Sequence, residues 1–167
     1  YIGTLSNFDI IYLHKVPGDI STYTEVGMSG NAHCSAIGKA ILASMKWDIV
    51  HDLVLKYGLK QMTSDSIMNE SFLYDELNLT RQRGYALCDG EFVTQSISIA
   101  MPIFDYSGHC AAALCLAAVK GIDIANIEQF EPVLRKKTIE LTERMGNVAK
   151  RKDEINLYFR AGLEEML

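Results

Sequence analysis

The sequence predicts an α+β domain built on an antiparallel sheet. Strand-patterned segments come first, helix-patterned segments follow, and a second pair of strands precedes a closing helical stretch. That order is not the regular alternation of strand and helix that marks a parallel βαβ fold. The 167 residues suit one domain, and no internal repeat, low-complexity tract or Pro/Gly-rich linker divides them. With 49% hydrophobic and 22% charged residues, the chain can build a core without disulfide or metal support.

Taken in order, residues 1–5 and 9–16 read as partner strands. The second is rich in β-formers (Ile10, Ile11, Tyr12, Val16) and closes on the turn signal Pro17-Gly18. Residues 20–28, with Thr22, Tyr23, Thr24 and Val26, read as a further extended segment. The period then changes, and from Ser35 onward Ile37, Ala40, Ile41 and Met45 recur at helical spacing. Ile49, Val50, Leu53, Val54 and Tyr57 mark a second helix that Gly58 stops. A third spans Glu70–Arg83, with Phe72, Leu73 and Leu77 inward and Gly84 at its end. Residues 126–146 form one amphipathic stretch (Ile127, Phe130, Leu134, Ile139, Leu141, Met145), and the polar run 150–154 leads into a last short helix ending at Leu167.

The most informative segment is a hairpin. Residues 95–104 and 109–119 both read as strands, joined at Asp105, Tyr106, Ser107 and Gly108. A tight turn there sets Ser98 opposite Cys115, Ala100 opposite Ala113 and Ser96 opposite Ala117. On the other face it sets Ile97 opposite Leu116 and Ile99 opposite Leu114. A slip of one residue would mix the two sets, so the pattern itself fixes the parity. One face is bulky and apolar. The other is small and slightly polar, a surface over which a cavity opens or on which a helix packs closely.

Charge and composition exclude several functions. Sixteen Lys and Arg against 21 Asp and Glu give a net charge of −5 and a pI near 5.3, the wrong sign for a domain that itself grips nucleic acid. Cys34, Cys88, Cys110 and Cys115 form no CxxC pair and read as reduced thiols of a cytoplasmic protein. No apolar run reaches the roughly 18 residues that a membrane span needs. The strand pattern begins almost at Tyr1, without an initiator Met, so the chain is expected to belong to a longer protein.

Two blocks carry a family resemblance. Gly84, Glu91, Ser98, Ile99, Ala100, Ile103, Phe104 and Asp105 fall at the spacing of the signature of the IclR family of bacterial transcription regulators. The run His33-Cys34-Ser35-Ala36-Ile37-Gly38-Lys39-Ala40-Ile41-Leu42-Ala43 resembles that family's HASGAGKALLA segment, and Tyr12–Gly18 resembles the strand and turn upstream of it. Cys88 departs from the signature, which usually has Asp or Ser there. The resemblance runs from about Tyr12 to Gly146. It implies an effector-binding domain with a curved antiparallel sheet flanked by helices, distantly like the GAF and profilin folds. It also implies homodimers or homotetramers, and a separate N-terminal winged helix-turn-helix domain through which alone operator DNA is reached. Small organic effectors, often carboxylates, would tune repression or activation.

For the site, the resemblance implies backbone amides of Ala36 and Ile37 as ligand contacts. Physical chemistry agrees, because Ser35 is suited to cap the helix and the free N–H groups of its first turn suit a carboxylate. The remaining family contacts map to Cys88, Ser98, Cys115 and Ala117, on the small-residue face of the hairpin. Residues 20–28 would form the lid, with Tyr23 and Met28 touching ligand. Cys88 in place of an acid, and Cys115 with Ala117 in place of two serines, predict an effector larger or less polar than a two- or three-carbon keto acid: an aromatic or sugar-derived acid. Glu91 is expected to hold backbone amides at the pocket's edge, and Lys39, one turn beyond the anion site, to be solvated.

Three other readings are open. Cys34 follows His33 at a helix N-terminus, where thiolates are favoured, but no third residue orients the His, so no catalytic residue is assigned and no enzyme is expected. His33, Cys34, Cys88 and Cys115 show no recognised zinc spacing, so neither metal nor cofactor is expected. The stripe over 126–146 and the tail (Tyr158, Phe159, Leu163, Leu167) could instead make the chain an interaction module.

Overall fold

The computed structural model describes residues 1–16, 18, 24–119, 121 and 124–146. The expectations placed on Tyr23 and on the tail from Tyr158 to Leu167 lie outside the described residues. Six strands, β1 (Ile2–Ser6), β2 (Asp9–His14), β3 (Ser29–Asn31), β4 (Ala86–Asp89), β5 (Ser96–Phe104) and β6 (Cys110–Val119), form one antiparallel sheet in the order β3-β2-β1-β6-β5-β4. The helices are α1 (Ala36–Leu42), α2 (Trp47–Tyr57), α3 (Glu70–Arg83), α4 (Ile124–Glu128) and α5 (Glu131–Arg144), with a single 3-10 turn at Ala32–Cys34 leading into α1. Among the described residues, no helix is long and apolar enough to cross a membrane.

The two faces of the hairpin separate two cores. Ile97, Ile99 and Met101 bury against Ile127 of α4 and Leu134 of α5. On the opposite face Ala100, Ala113 and Cys115 meet α1, which touches β1, β4, β5 and β6 and carries α3 on its far side. Helix α1 is apolar nearly all round, and all seven of its residues are buried, as such a helix requires. Gly38 is what lets it lie so close to the 3-10 turn: a Cβ there would stand 2.2–2.5 Å from the backbone of Ala32. Arg81 of α3 is 3% exposed and closes the other end of α1, donating from Nε to Ala43 O (2.7 Å) and from Nη2 to Met45 O (2.9 Å).

The hairpin register differs from the expected one by two residues. Ser98 faces Ala117, Ala100 faces Cys115, Ser96 faces Val119 and Ile99 faces Leu116. The turn spans five residues, with Asp105 N donating to His109 O (2.9 Å) and Gly108 at φ +84°. An irregularity between Ile103 and Phe104 then adds one residue on β6. A shift of two preserves which side chains share a face, so the small face and the apolar face stand as read from the sequence.

Other elements differ in detail. The stretch 126–146 is two helices, broken before Pro132, which opens α5. Phe130 (44%) and Met145 (48%) are exposed, and the inward positions include Thr138 and Thr142. Those hydroxyls are satisfied locally, Thr138 Oγ1 donating to Leu134 O (2.9 Å) and Thr142 Oγ1 accepting from Phe104 N (3.2 Å). Phe72 (66%) and Ile49 (51%) also face outward. The segment read as extended over 20–28 gives a turn at Val26 and Gly27, followed by the short β3.

Gly38→Ala is expected to lower stability by about 2–3 kcal/mol, since backbone, not a flexible side chain, blocks the new methyl. Urea unfolding measures this; an unchanged midpoint would mean that the turn at Ala32 yields freely.

Candidate functional site

Ser35 sits in extended conformation (φ −119°, ψ 145°) and its Oγ accepts from Gly38 N at 3.0 Å. It is the N-cap of α1, so the amides of Ala36 and Ile37, in the first turn, have no intrahelical acceptor. Ser35, Ala36 and Ile37 form one wall of a cavity of about 160 Å³. The sheet supplies the facing wall. Cys88 pairs with Ser98 and Ser98 with Ala117, placing these three in one row across β4, β5 and β6. Cys115 stands in the next row, opposite Ala100, and exchanges backbone hydrogen bonds of 2.9 Å with Tyr1. The small face of the hairpin is therefore the wall that leaves room.

Of the residues expected at a site, Ser35, Ala36, Ile37, Cys88, Ser98, Cys115 and Ala117 meet around this one cavity. Met28 does not. It is 49% exposed, its Sδ accepts from Glu25 N (3.3 Å), and Thr24 takes the place at the cavity that was expected of it. Sequence reasoning missed the aromatic walls, Tyr1, Tyr12 and Phe92. Tyr1 and Tyr12 meet edge to face at 5.5 Å and 66°. Tyr12 was legible in principle, since it alternates with the buried Ile10 along β2; Phe92, in a loop, had no periodic signal.

Among the described residues no Asp, Glu, Lys or Arg lines the cavity. Burial pushes the phenol of Tyr12 well above its usual range, so it stays neutral. Burial also raises the thiol of Cys88 and pushes that of Cys115 up to about 12. The donors on offer are hydroxyls, backbone amides and the side-chain amide of Gln95.

Lys39 is neither solvated nor in the cavity. It is 1% exposed, with Nζ 2.6 Å from Glu91 Oε1 and 3.3 Å from Glu76 Oε1. Glu91, expected to hold backbone amides, takes this ammonium as well as a backbone hydrogen bond at Asp89. Burial raises the Glu91 carboxyl above the ordinary range and Lys39 opposes that shift.

The thiol pair His33–Cys34 is not a nucleophile with its base. Cys34 is fully buried, its Sγ points to Asn31 O (3.6 Å), and burial pushes its thiol up to about 12. His33 Nε2 lies 3.2 Å from Lys60 O, which only accepts, so that nitrogen carries the proton. His33 and Cys34 also stand outside the cavity that Cys88 and Cys115 line. Among the described residues no three His, Cys, Asp or Glu side chains come together to hold a metal ion.

Comparison with known proteins places this geometry. A family model described as the C-terminal part of the bacterial transcriptional regulator IclR matches residues 1–140. The chain is 29% identical over 119 residues to the HTH-type transcriptional regulator KdgR of Dickeya chrysanthemi, a match covering 70% of this chain and 39% of that regulator. The crystal structure of the Thermotoga maritima IclR is similar with a TM-score of 0.82 at 28% identity, over 87% of this chain and 60% of that one. A double mutant of the inducer-binding domain of the PobR transcription factor from Acinetobacter, in complex with 3-hydroxybenzoic acid, gives a TM-score of 0.75 at 28% identity, over 84% of this chain and 85% of that one. The chain spans less than two thirds of the first curated relatives it matches.

Burial holds the His33 imidazole below its ordinary 6.5. The unfolded chain thus binds a proton there more readily, and this residue's contribution to stability is present above about pH 6.5 and lost as pH falls below it. Urea midpoints measured from about pH 7 down to about pH 5 should fall less steeply in His33→Gln than in the parent; equal slopes would contradict the burial argument.

Proposed function

The chain belongs to the IclR family of bacterial transcription regulators, and on that premise we propose that it is the domain that senses a small organic acid and passes its occupancy to a separate DNA-binding domain. The observation that carries this reading is the cavity between the first turn of α1 and the small face of β4, β5 and β6. The effector's carboxylate meets the amides of Ala36 and Ile37, where unpaired N–H groups at a helix start favour an anion. Hydroxyls of Ser98, Thr24 and Tyr12 orient its substituents.

An aromatic acid fits best. A cavity of about 160 Å³ is close to the roughly 150 Å³ that accepts benzene in an engineered protein core. Rings of Tyr1, Tyr12 and Phe92 bound it, and the Acinetobacter domain in complex with 3-hydroxybenzoic acid shares its fold. The regulator acts in the cytoplasm as a homodimer or homotetramer and reaches operator DNA through a domain outside this chain.

A thermal-shift screen of benzoates and sugar acids tests the reading. Ligand at about 100 times its Kd adds about 2.7 kcal/mol, or roughly 5–10 °C for a domain of this size. Selective stabilisation by aromatic acids is the expected result, and its loss in Ala117→Phe, which fills the cavity, locates the site. A rise that survives the filled cavity would place binding elsewhere.

Ala36→Pro gives a sharper test. Proline is at home in the first helical position and Ser35 already has the extended backbone that precedes it, so the fold should be kept. One amide is lost, and carboxylate affinity measured by calorimetry should fall by about tenfold or more. The uncharged benzamide should lose much less, and equal losses for both would remove the carboxylate from this turn.

A further inference from the structure

Part of the cavity's lining comes from loops: Thr24 before β3, and Phe92, Val93 and Gln95 between β4 and β5. Tyr12, Ser98 and Cys115 belong to strands, and Ser35–Ile37 to a capped helix start, so none moves without breaking regular hydrogen bonding. Phe92 belongs to the loop between β4 and β5. Immediately before it the loop is fastened hard. Thr63 Oγ1 donates to Gly90 O (2.8 Å), Ser66 Oγ donates to Glu91 O (2.7 Å), and Lys39 Nζ holds Glu91 Oε1 at 2.6 Å. Immediately after it the loop opens to solvent, with Val93 39% exposed.

The Phe92 ring has a dedicated seat. A Cβ at Gly30 of β3 would stand 2.3 Å from its Cζ and 2.5 Å from its Cε2, so the ring occupies the volume of a missing side chain. Phe92 also lines the cavity.

We propose that Phe92, seated on Gly30 and fixed from behind by the Lys39–Glu91 pair, is the size filter of the cavity: it sets the largest group that enters and screens Cys88 and Cys115 from solvent. Lys39 and Glu91 act as positioning residues, through the backbone of the loop. The identity of what is filtered rests on the ligand-sensing reading above; the filter itself does not.

The four cysteines are built-in reporters. Cys88 and Cys115 line the cavity at 1% and 8% exposure, whereas Cys34 and Cys110 lie outside it. The 167-residue chain is treated with iodoacetamide and, in parallel, with a biphenyl maleimide, and each cysteine is followed by mass spectrometry. In Phe92→Ala, modification of Cys88 and Cys115 by the bulky reagent should rise about tenfold or more, as for a local opening, with Cys34 and Cys110 unchanged. Gly30→Ala, which unseats the ring without removing it, should give the same selective rise. An equal rise at all four cysteines in both variants, or none at Cys88 and Cys115, overturns the proposal. A thermal-shift comparison separates it from the sensing reading: benzoate should stabilise the parent and Gly30→Ala, 2-naphthoate only the variant. If neither acid stabilises either protein while the selective labelling holds, the sensing reading fails and the filter stands; if both acids stabilise the parent equally, the filter fails.

Discussion

Much of this fold turns on one buried ammonium. Lys39 sits in the middle of a helix enclosed on every side, and moving such a group out of water is tolerable only with carboxylates in reach. Its two partners belong to different elements, Glu91 to the β4–β5 loop and Glu76 to α3. Glu76 in turn takes Arg83 Nη2 at 2.7 Å, Arg83 Nε donates to Tyr85 O at 2.7 Å, and Tyr85 OH donates to Glu128 of α4 at 2.5 Å. A polar chain thus runs from the centre of the domain to the helices on the sheet's other face. The demand is strongest at Lys39, because a charge stripped of its partner in a low-dielectric setting costs more than the pair contributes, whereas Glu76 and Arg83 keep some contact with water.

The cavity lies beside this chain but takes none of its charge. Lys39, Glu91, Glu76 and Arg83 are spent on holding elements together, and the described residues that face the empty volume offer thiols, hydroxyls, amides and rings. Selectivity in such a site comes from shape and from a few directed donors, in contrast to a site that recruits an acid with a lysine or arginine. Small residues in facing rows of β4, β5 and β6 set the depth, and the aromatic residues set the sides.

Much of this was legible beforehand because it depends on period. The parity of the hairpin, the cap at Ser35 and the ends of α3 follow from spacings of two and of three to four residues. The grouping of Cys88, Ser98, Cys115 and Ala117 with Ala36 and Ile37 was implied by the family resemblance, and spacing added only that Ser98, Cys115 and Ala117 share the small face. What escaped depends on exceptions to period. The register moved by two because a five-residue turn and a bulge are set by hydrogen bonds around Asp105 and Gly108. Thr138 and Thr142 hid a buried stripe by satisfying their hydroxyls on nearby backbone. Lys39 was taken for a solvated side chain because its carboxylates are 37 and 52 residues away in sequence (76 − 39 and 91 − 39). Phe92 and Met28 were missed or misplaced for a related reason: loop residues are positioned by contacts, not by repeat.

The cysteines lead to a last consequence. Peroxide attacks the thiolate, and burial pushes the thiols of Cys34, Cys110 and Cys115 up to about 12 and raises that of Cys88 as well. At neutral pH almost none of the reactive form exists. The walls of the cavity therefore present neutral thiols, which peroxide attacks poorly, so burial shields Cys88 and Cys115 from the first step of oxidation.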